Sequence, residues 1–233
     1  MVEISVIIPS LNEEKYIENT LQAFKDQTFK DFEIIVSDSM STDKTREIAK
    51  KYAKVVTTKL RGISNGRNVG ASKAKGKIYV FIDADTIPEK TYLEAFHKVF
   101  QDKRVVVATG PILPYGQDKF LNRLSYSFVS VFLVNILIRT PFKFVIGSNF
   151  AIRKEAFEKL KGFDPNQGTC EDLDLAKRAG KIGKIRYTKY AKVYTSTRRI
   201  DKWGKLHYVV YHTENYFRYY TKRKVKEDYE HII

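Results

Sequence analysis

The sequence predicts an α/β protein: a mixed, mostly parallel sheet flanked by helices, with a helical tail at its C-terminus. Two observations carry this. Strand and helix patterns alternate through the first half of the chain, an order that implies parallel strands joined by right-handed crossovers. In addition, the β-branched and aromatic run Ile78-Tyr79-Val80-Phe81-Ile82 stops abruptly at Asp83-Ala84-Asp85. An unbroken apolar run of that length is the signature of a strand covered on both faces.

Ile4 to Ile8 is the first strand, ending at Pro9, and Glu13 to Gln27 follows as a helix with Ile17, Leu21 and Phe24 on one face. Glu33 to Ser37 is the second strand. Ser41-Thr42-Asp43 supplies capping residues for a helix carrying Ile48, Ala49 and Tyr52. Val55-Val56 is a short third strand, and Ser64 to Ala74 is a helix containing Gly66 and Gly70. The apolar run at 78–82 comes next. Pro88 then marks a helix start, with Tyr92, Leu93, Phe96 and Val99 as its apolar face. Further on, Val105 to Thr109 and Val145 to Ile152 read as strands. Arg153 to Leu160 reads as a helix closed by Gly162, and Glu171 to Ala179 as a helix capped by Gly180. No Pro/Gly/Ser linker or internal repeat interrupts the chain, so one domain over 1–233 is the economical description.

Ligands of such sheets lie beyond the carboxyl ends of the strands. That brings the segments after Ile8, Val36 and Ile82 into one crevice. Residues i and i+2 of a strand point the same way, so Asp83 and Asp85 can reach one ligand where the strand opens into a loop. Two such acids suit a hard divalent cation that also holds phosphate oxygens. Taken alone, a turn with two solvated acids fits the same residues.

Composition narrows the partners. A hydrophobic content of 43% beside 30% charged residues excludes a disordered chain. The single cysteine, Cys170, excludes an internal disulfide framework and fits a reducing compartment. Met1-Val2-Glu3-Ile4 has neither a basic leader nor a long apolar segment, so no signal peptide is expected and a cytoplasmic location is. The net charge of +15 attracts nucleic acid, anionic membrane surfaces and phosphorylated substrates alike. Charge alone does not choose among them.

The motifs do. In order come Pro9-Ser10-Leu11-Asn12-Glu13, Ser37-Asp38 through Ser41-Thr42-Asp43, Arg67-Asn68-Val69-Gly70, Asp83-Ala84-Asp85, Gly147-Ser148-Asn149-Phe150, Gly162-Phe163-Asp164 and Glu171-Asp172-Leu173-Asp174-Leu175. Together they resemble family 2 glycosyltransferases of the GT-A fold. The resemblance implies a sugar-nucleotide-binding half over 1–110, an acceptor half over 111–200 and a basic, aromatic tail over 201–233.

It further implies that Pro9, Leu11, Glu13, Asp38 and Arg67 surround the base and ribose of a nucleotide-sugar donor. Asp38 can accept from a base imino group or cap the helix after Ser41, or do both. Ser39 and Met40 stand where many relatives carry an acid and a glycine, which leaves uridine and guanosine donors both open. Asp85 is assigned to a metal ion, Mg²⁺ or Mn²⁺, with Asp83 reaching the ribose or the ion's water shell. The cation neutralises the departing nucleoside diphosphate. Arg198 and Arg199 are assigned to the diphosphate, since guanidinium groups grip phosphates bidentately. Arg199 through Trp203 resembles a degenerate Q-x-x-R-W motif, although a solvated basic turn fits as well. His207, as a third metal ligand, has no support from spacing. Asp172, with Glu171 as second choice, is implied to be the general base of an inverting displacement. Acids at a helix N-terminus are also electrostatically favourable in their own right.

Two segments bear on the acceptor, which is expected to be a hydroxyl or phosphate on a membrane lipid or glycan. Leu121 to Ile138 is apolar and aromatic, read either as a buried helix or as an interfacial one. The tail from Arg198 interleaves Lys and Arg with aromatics, and Leu206, Val210, Phe217 and Tyr220 suggest one helical face. Peripheral contact with an anionic membrane and packing on the core both suit it. No nucleic-acid-binding motif accompanies these residues. The rival functions are a nucleotidyltransferase and a non-catalytic nucleotide-sugar or nucleic-acid binding module.

Overall fold

The computed structural model describes residues 2–115, 128–221 and 225. Seven strands form the central sheet: β1 (Ile4–Ser10), β2 (Phe32–Asp38), β3 (Lys54–Thr57), β4 (Ile78–Ile82), β6 (Val105–Thr109), β8 (Asn149–Arg153) and β9 (Lys184–Tyr187). Their order is β3-β2-β1-β4-β8-β6-β9. The first four neighbours run parallel, as the alternating pattern predicts. β8 is antiparallel to both β4 and β6, and β9 returns parallel to β6. β4 is buried along its whole length and sits where the parallel and antiparallel parts meet.

Helices cover both faces: α1 (Ile17–Ala23), α2 (Thr45–Lys50), α3 (Ile63–Ser72), α4 (Tyr92–Val99), α5 (Val134–Leu137), α6 (Lys154–Lys159) and α7 (Glu171–Ala179). Alternation along β1 divides the core. Val6 and Ile8 join Leu21, Tyr92 and Phe96 on one side, while Ile7 joins Phe81, Phe150, Phe157 and Leu175 on the other. Phe81 stacks on Phe150 with centroids 5.1 Å apart and meets Phe163 edge-on at 5.1 Å.

The Arg67-Asn68-Val69-Gly70 motif has a mechanical explanation at its last residue. A Cβ on Gly70 would stand 2.5 Å from Ile7 Cγ2, so glycine lets α3 press against β1. Gly70→Ala is expected to lower stability by about 1–3 kcal/mol through overpacking, read as a shifted urea midpoint at unchanged slope.

A second sheet was not foreseen. It contains β5 (Thr86–Pro88), β7 (Ile112–Tyr115) and β10 (Val193–Ser196) in the order β5-β10-β7. Pro88 therefore ends an edge strand and does not begin a helix, and α4 starts only at Tyr92. Pro114 lies on the other edge strand, β7, and edges are where proline is tolerated. The helix expected over 13–27 is regular only from Ile17 to Ala23. The strand expected from Val145 begins at Asn149, preceded by a single bridge at Ile146.

The chain closes with α8 (Arg198–Trp203) and α9 (Lys205–Tyr220), separated by Gly204 at φ +78°. The face of α9 chosen from the sequence is the wrong one. Leu206 and Phe217 are 79% and 62% exposed, whereas Tyr211 and Asn215 are buried. Of the 121–138 segment, residues 121–127 lie outside the described residues; 128–133 form a π-helical turn that runs into α5. Among the described residues, no helix is long and apolar enough to cross a membrane.

Candidate functional site

The loops at the carboxyl ends of β1 and β2 are laced together. Asn12, at φ 54°, accepts from Thr42 N at 2.8 Å, and its own N–H donates to Ser41 Oγ at 2.9 Å. Glu13 N donates to Thr45 Oγ1 at 2.7 Å. Asp38 is completely buried beneath this crossing. It accepts from Ser10 Oγ at 3.1 Å and from Ser41 N and Oγ at 2.9 and 2.5 Å, with Arg46 at 3.6 Å. Asp38 thus ties down the turn at Ser41 and does not cap the helix, which begins only at Thr45 with Lys44 before it. Its carboxylate belongs to the scaffold under the loop, because the N–H and hydroxyl of the turn it faces already occupy its oxygens.

A cavity of about 460 Å³ opens beyond the end of β4. Asp83, Asp85, Arg67, Glu171, Asp172, Arg198 and Arg199 all line it. Pro9, Leu11, Glu13 and Asp38 do not; the first three form the neighbouring rim at the ends of β1 and β2, and Asp38 lies buried beneath it. The expected donor residues therefore fall into two adjoining groups.

Arg67 is the hub of the cavity floor. It is 1% exposed, donates to Glu171 at 2.6 Å, to Asp83 at 3.2 Å and to the Gly147 carbonyl at 2.9 Å. Burial opposes its charge, but Glu171, Asp83 and Asp172 outweigh that and raise its pKa. Asn68 beside it bonds both the carbonyl and the N–H of Phe163, at 2.9 and 3.0 Å, which ties the Gly162-Phe163 turn to α3. Gly162 takes φ +70° there, a conformation suited to glycine. A Cβ on Gly147 would stand 3.0 Å from Asp172 and 3.1 Å from Arg67, so this glycine lets the acid and the arginine approach the same backbone.

The two acids that open α7 are not equivalent. Glu171 is engaged by Arg67, whereas Asp172 accepts from Leu173 N at 2.8 Å and presents its other oxygen toward Gly147. Desolvation, and then the charge of Glu171, push Asp172 up to about 7, with Arg67 pulling the other way. Cys170 also lines the cavity, but burial and the two acids push its thiol up to about 12, so it stays protonated and unreactive.

Asp85 comes next to Arg198 through the second sheet. β5 follows the acidic loop, β10 leads into α8, and Ser196 N donates to Asp85 O at 3.2 Å. Arg198 reaches Asp85 at 3.2 Å and grips Glu13 with two nitrogens. Burial, then Asp83, raise the Asp85 pKa against the pull of Arg198 and Arg199. Burial likewise lifts Glu13 to about 6 despite Arg198. Two carboxylates at a strand end, with Asp85 desolvated and Asp83 partly open to solvent, are a donor set that fits a hard divalent cation. Mg²⁺ is typically held by one or two carboxylates together with substrate phosphates. Among the described residues there is no cluster of three or more His, Cys, Asp or Glu placed to enclose an ion. His207 is exposed, packs on Trp203 with centroids 5.4 Å apart, and is not among the residues that line the cavity.

The roof of the cavity was missed by sequence reasoning. Tyr208, Tyr211, His212 and Asn215 of α9 line it, together with Ser148 and Thr195. The signal was present in the spacing: 208, 211, 212 and 215 follow the i, i+3, i+4, i+7 rule of one helical face. α9 is anchored by Tyr219 Oη donating to Asp174 at 3.1 Å and Tyr220 Oη donating to Lys143 O at 2.6 Å.

A family model described as Glycosyl transferase family 2 matches residues 5–161. The chain belongs to glycosyltransferase family 2. It is 30% identical over 209 residues to the O-antigen chain rhamnosyltransferase WbaN of Salmonella anatum, covering 83% of this chain and 66% of that protein. It is 31% identical over 203 residues to the probable glycosyltransferase YdaM of Bacillus subtilis strain 168, covering 78% and 47%. Its fold is GT-A, shared with the mannosyltransferase PcManGT from Pyrobaculum calidifontis, solved with GDP-Man and Mn²⁺. The TM-score is 0.74 at 21% identity, over 95% of this chain and 65% of that one. This family 2 chain spans 18%, 55% and 49% of the lengths of three other curated relatives it matches.

Proposed function

We propose that the protein is an inverting, metal-dependent glycosyltransferase that moves a sugar from a UDP- or GDP-sugar to an acceptor hydroxyl or phosphate on a membrane lipid or glycan. The observation that carries this is one cavity holding two acidic pairs, Asp83/Asp85 and Glu171/Asp172, with Arg67 bonded to a member of each. Asp85 and Asp83 hold Mg²⁺ or Mn²⁺, which when bound neutralises the leaving diphosphate. Pro9, Leu11 and Glu13 border the nucleoside, and Arg198 with Arg199 hold phosphate oxygens. Asp172 takes the proton of the acceptor hydroxyl as that oxygen attacks the anomeric carbon opposite the diphosphate. Glu171 pairs with Arg67, and its charge beside Asp172 raises the affinity of that acid for a proton.

The base acts when deprotonated. Acceptor-dependent turnover is therefore expected to climb with pH through about 7 and to level off above it, in an assay with saturating donor and Mn²⁺. The reading as a whole is tested by product identity. Release of nucleoside diphosphate from UDP- or GDP-sugars supports it, whereas release of pyrophosphate identifies a nucleotidyltransferase. Oligonucleotide binding tighter than nucleotide-sugar binding, and steeply weakened by salt, would instead point to a binding module.

A lipid-borne acceptor is supported by the surface beside the roof. Phe132, Ile136 and Phe142 are exposed near α5, and Leu206, Val209, Val210 and Phe217 are exposed on α9. The two stretches adjoin, because Phe142 packs on Tyr220 at 5.2 Å and Tyr216 Oη donates to Phe142 O at 3.2 Å. Val209 and Phe144 line the cavity as well, so the apolar surface runs from the solvent to the acids. Co-sedimentation with vesicles of anionic phospholipid is expected, and Leu206→Ser with Phe217→Ser is expected to lower the bound fraction by about fivefold or more.

A further inference from the structure

Arg198 is held by two carboxylates and an aromatic ring. Its two terminal nitrogens donate to the carboxylate of Glu13 at 2.8 and 2.5 Å, and one of them also lies 3.2 Å from Asp85 Oδ2. The guanidinium sits 4.6 Å from the centre of the Tyr16 ring. Arg198, Glu13 and Asp85 are 16%, 14% and 14% exposed at their side chains, so the three are held largely out of water. Glu13 is fixed in turn by the bond from its N–H to Thr45, and Arg198 by its position at the first residue of α8.

A guanidinium between two carboxylates supplies the same local neutralisation as a divalent cation. Arg198 and a metal ion therefore compete for Asp85, since bringing a second positive charge against the first is electrostatically unfavourable. A diphosphate changes the balance, because its oxygens offer the guanidinium a bidentate partner and shield it from the ion. The bond to Glu13 need not break during such an exchange. It is a pivot on which the side chain moves from Asp85 to phosphate.

We propose that Arg198 is a positioning residue that guards Asp85: it pairs with Glu13 and Asp85 until nucleotide and cation arrive together, and so makes metal binding conditional on the nucleotide. This deepens the donor-site reading above and rests on it. The metal alone binds weakly, nucleoside diphosphate tightens it, and the coupling is reciprocal, as linkage demands.

The test is Mn²⁺ binding to the full chain followed by electron paramagnetic resonance, with Mn²⁺ alone and with saturating UDP or GDP. In the wild type, the better nucleotide is expected to tighten Mn²⁺ by about tenfold or more. Arg198→Ala is expected to bind Mn²⁺ alone about fivefold tighter than wild type and to lose most of the nucleotide effect. Lys205→Ala is the control for a general field effect, because Lys205 lines the same cavity and carries the same charge. It is expected to change Mn²⁺ affinity by less than about twofold. Glu13→Gln, which removes the pivot's charge and leaves Arg198 to Asp85, is expected to weaken Mn²⁺ alone. If Arg198→Ala fails to fold by circular dichroism, Arg198→Lys replaces it: charge is kept, the fork is lost, and part of the coupling goes.

A folded Arg198→Ala protein with wild-type Mn²⁺ affinity and coupling overturns the clasp while leaving the donor site intact. Equal gains in Arg198→Ala and Lys205→Ala also overturn it, in favour of simple charge removal. A wild-type chain that takes up no Mn²⁺ with either nucleotide overturns the donor-site reading and the clasp together.

Discussion

Asp172→Asn is expected to lower kcat for sugar transfer by roughly 10³-fold, within the range general bases contribute, with little change in the KM for the donor. The substitution keeps the shape of the side chain and its bond from Leu173 N, so folding is not at issue. What it removes is the only acid of the pair that no arginine holds. Glu171→Gln is expected to act differently, because Glu171 is bonded to Arg67 and faces the reaction only through its charge. Losing that charge lowers the Asp172 pKa, so the rise in rate should move to lower pH while turnover at the plateau falls less than tenfold. Initial rates of nucleoside diphosphate release, measured across pH for the three proteins, separate the two roles. Equal losses in both variants would make the acids interchangeable and sink the assignment.

The second large effect is on stability. Arg67→Met is expected to lower the unfolding free energy by about 3–5 kcal/mol, because it strands partly buried acceptors without their donor. Glu171, Asp83 and the Gly147 carbonyl all lose a bond at once, and Glu171 remains next to Asp172 without a counter-charge. Chemical denaturation of the single variant and of Arg67→Met with Glu171→Gln measures the coupling. A partial recovery in the double variant, about 1–3 kcal/mol, is the expected sign that uncompensated charge drives the loss. Strict additivity would assign the damage to packing around Phe163, whose ring lies 5.4 Å from the guanidinium.

The parallel half of the sheet was legible because its strands are mostly apolar and alternate with segments of helical period, so the pattern and the order of elements agree. The site acids were legible too, since they stand at strand ends and at a helix start where the topology must bring them together. Three things were hidden. The strands β5, β7 and β10 have only three or four residues each, and two of them contain proline, so local pattern argues against the pairing that tertiary context imposes. The role of Asp38 depends on whether Ser10 and Ser41 reach it, which spacing does not state. The buried face of α9 consists of Tyr208, Tyr211, His212 and Asn215, residues less apolar than the leucine, valines and phenylalanine it leaves in the solvent. A rule that ranks faces by hydrophobicity chooses the wrong side of a helix whose task is to roof a polar cavity.

The reach of the site's ion pairs along the chain has a consequence for how the molecule comes together. Arg67 finds Glu171 across 104 positions, and Arg198 finds Glu13 across 185. Closing loops of that size is entropically slow, and contacts of high sequence separation belong to the late part of folding. On the ribosome, the strands β1 to β4 are synthesised long before the residues that neutralise their acids. The growing chain therefore carries Glu13 and Asp85 without Arg198 until α8 emerges. A chain cut short anywhere before Arg198 holds most of the strands of its sheet and still lacks the cation that pairs with Asp85. Glu13 and Asp85 therefore meet Arg198 only after α8 has been made, well after the strands that carry the two acids.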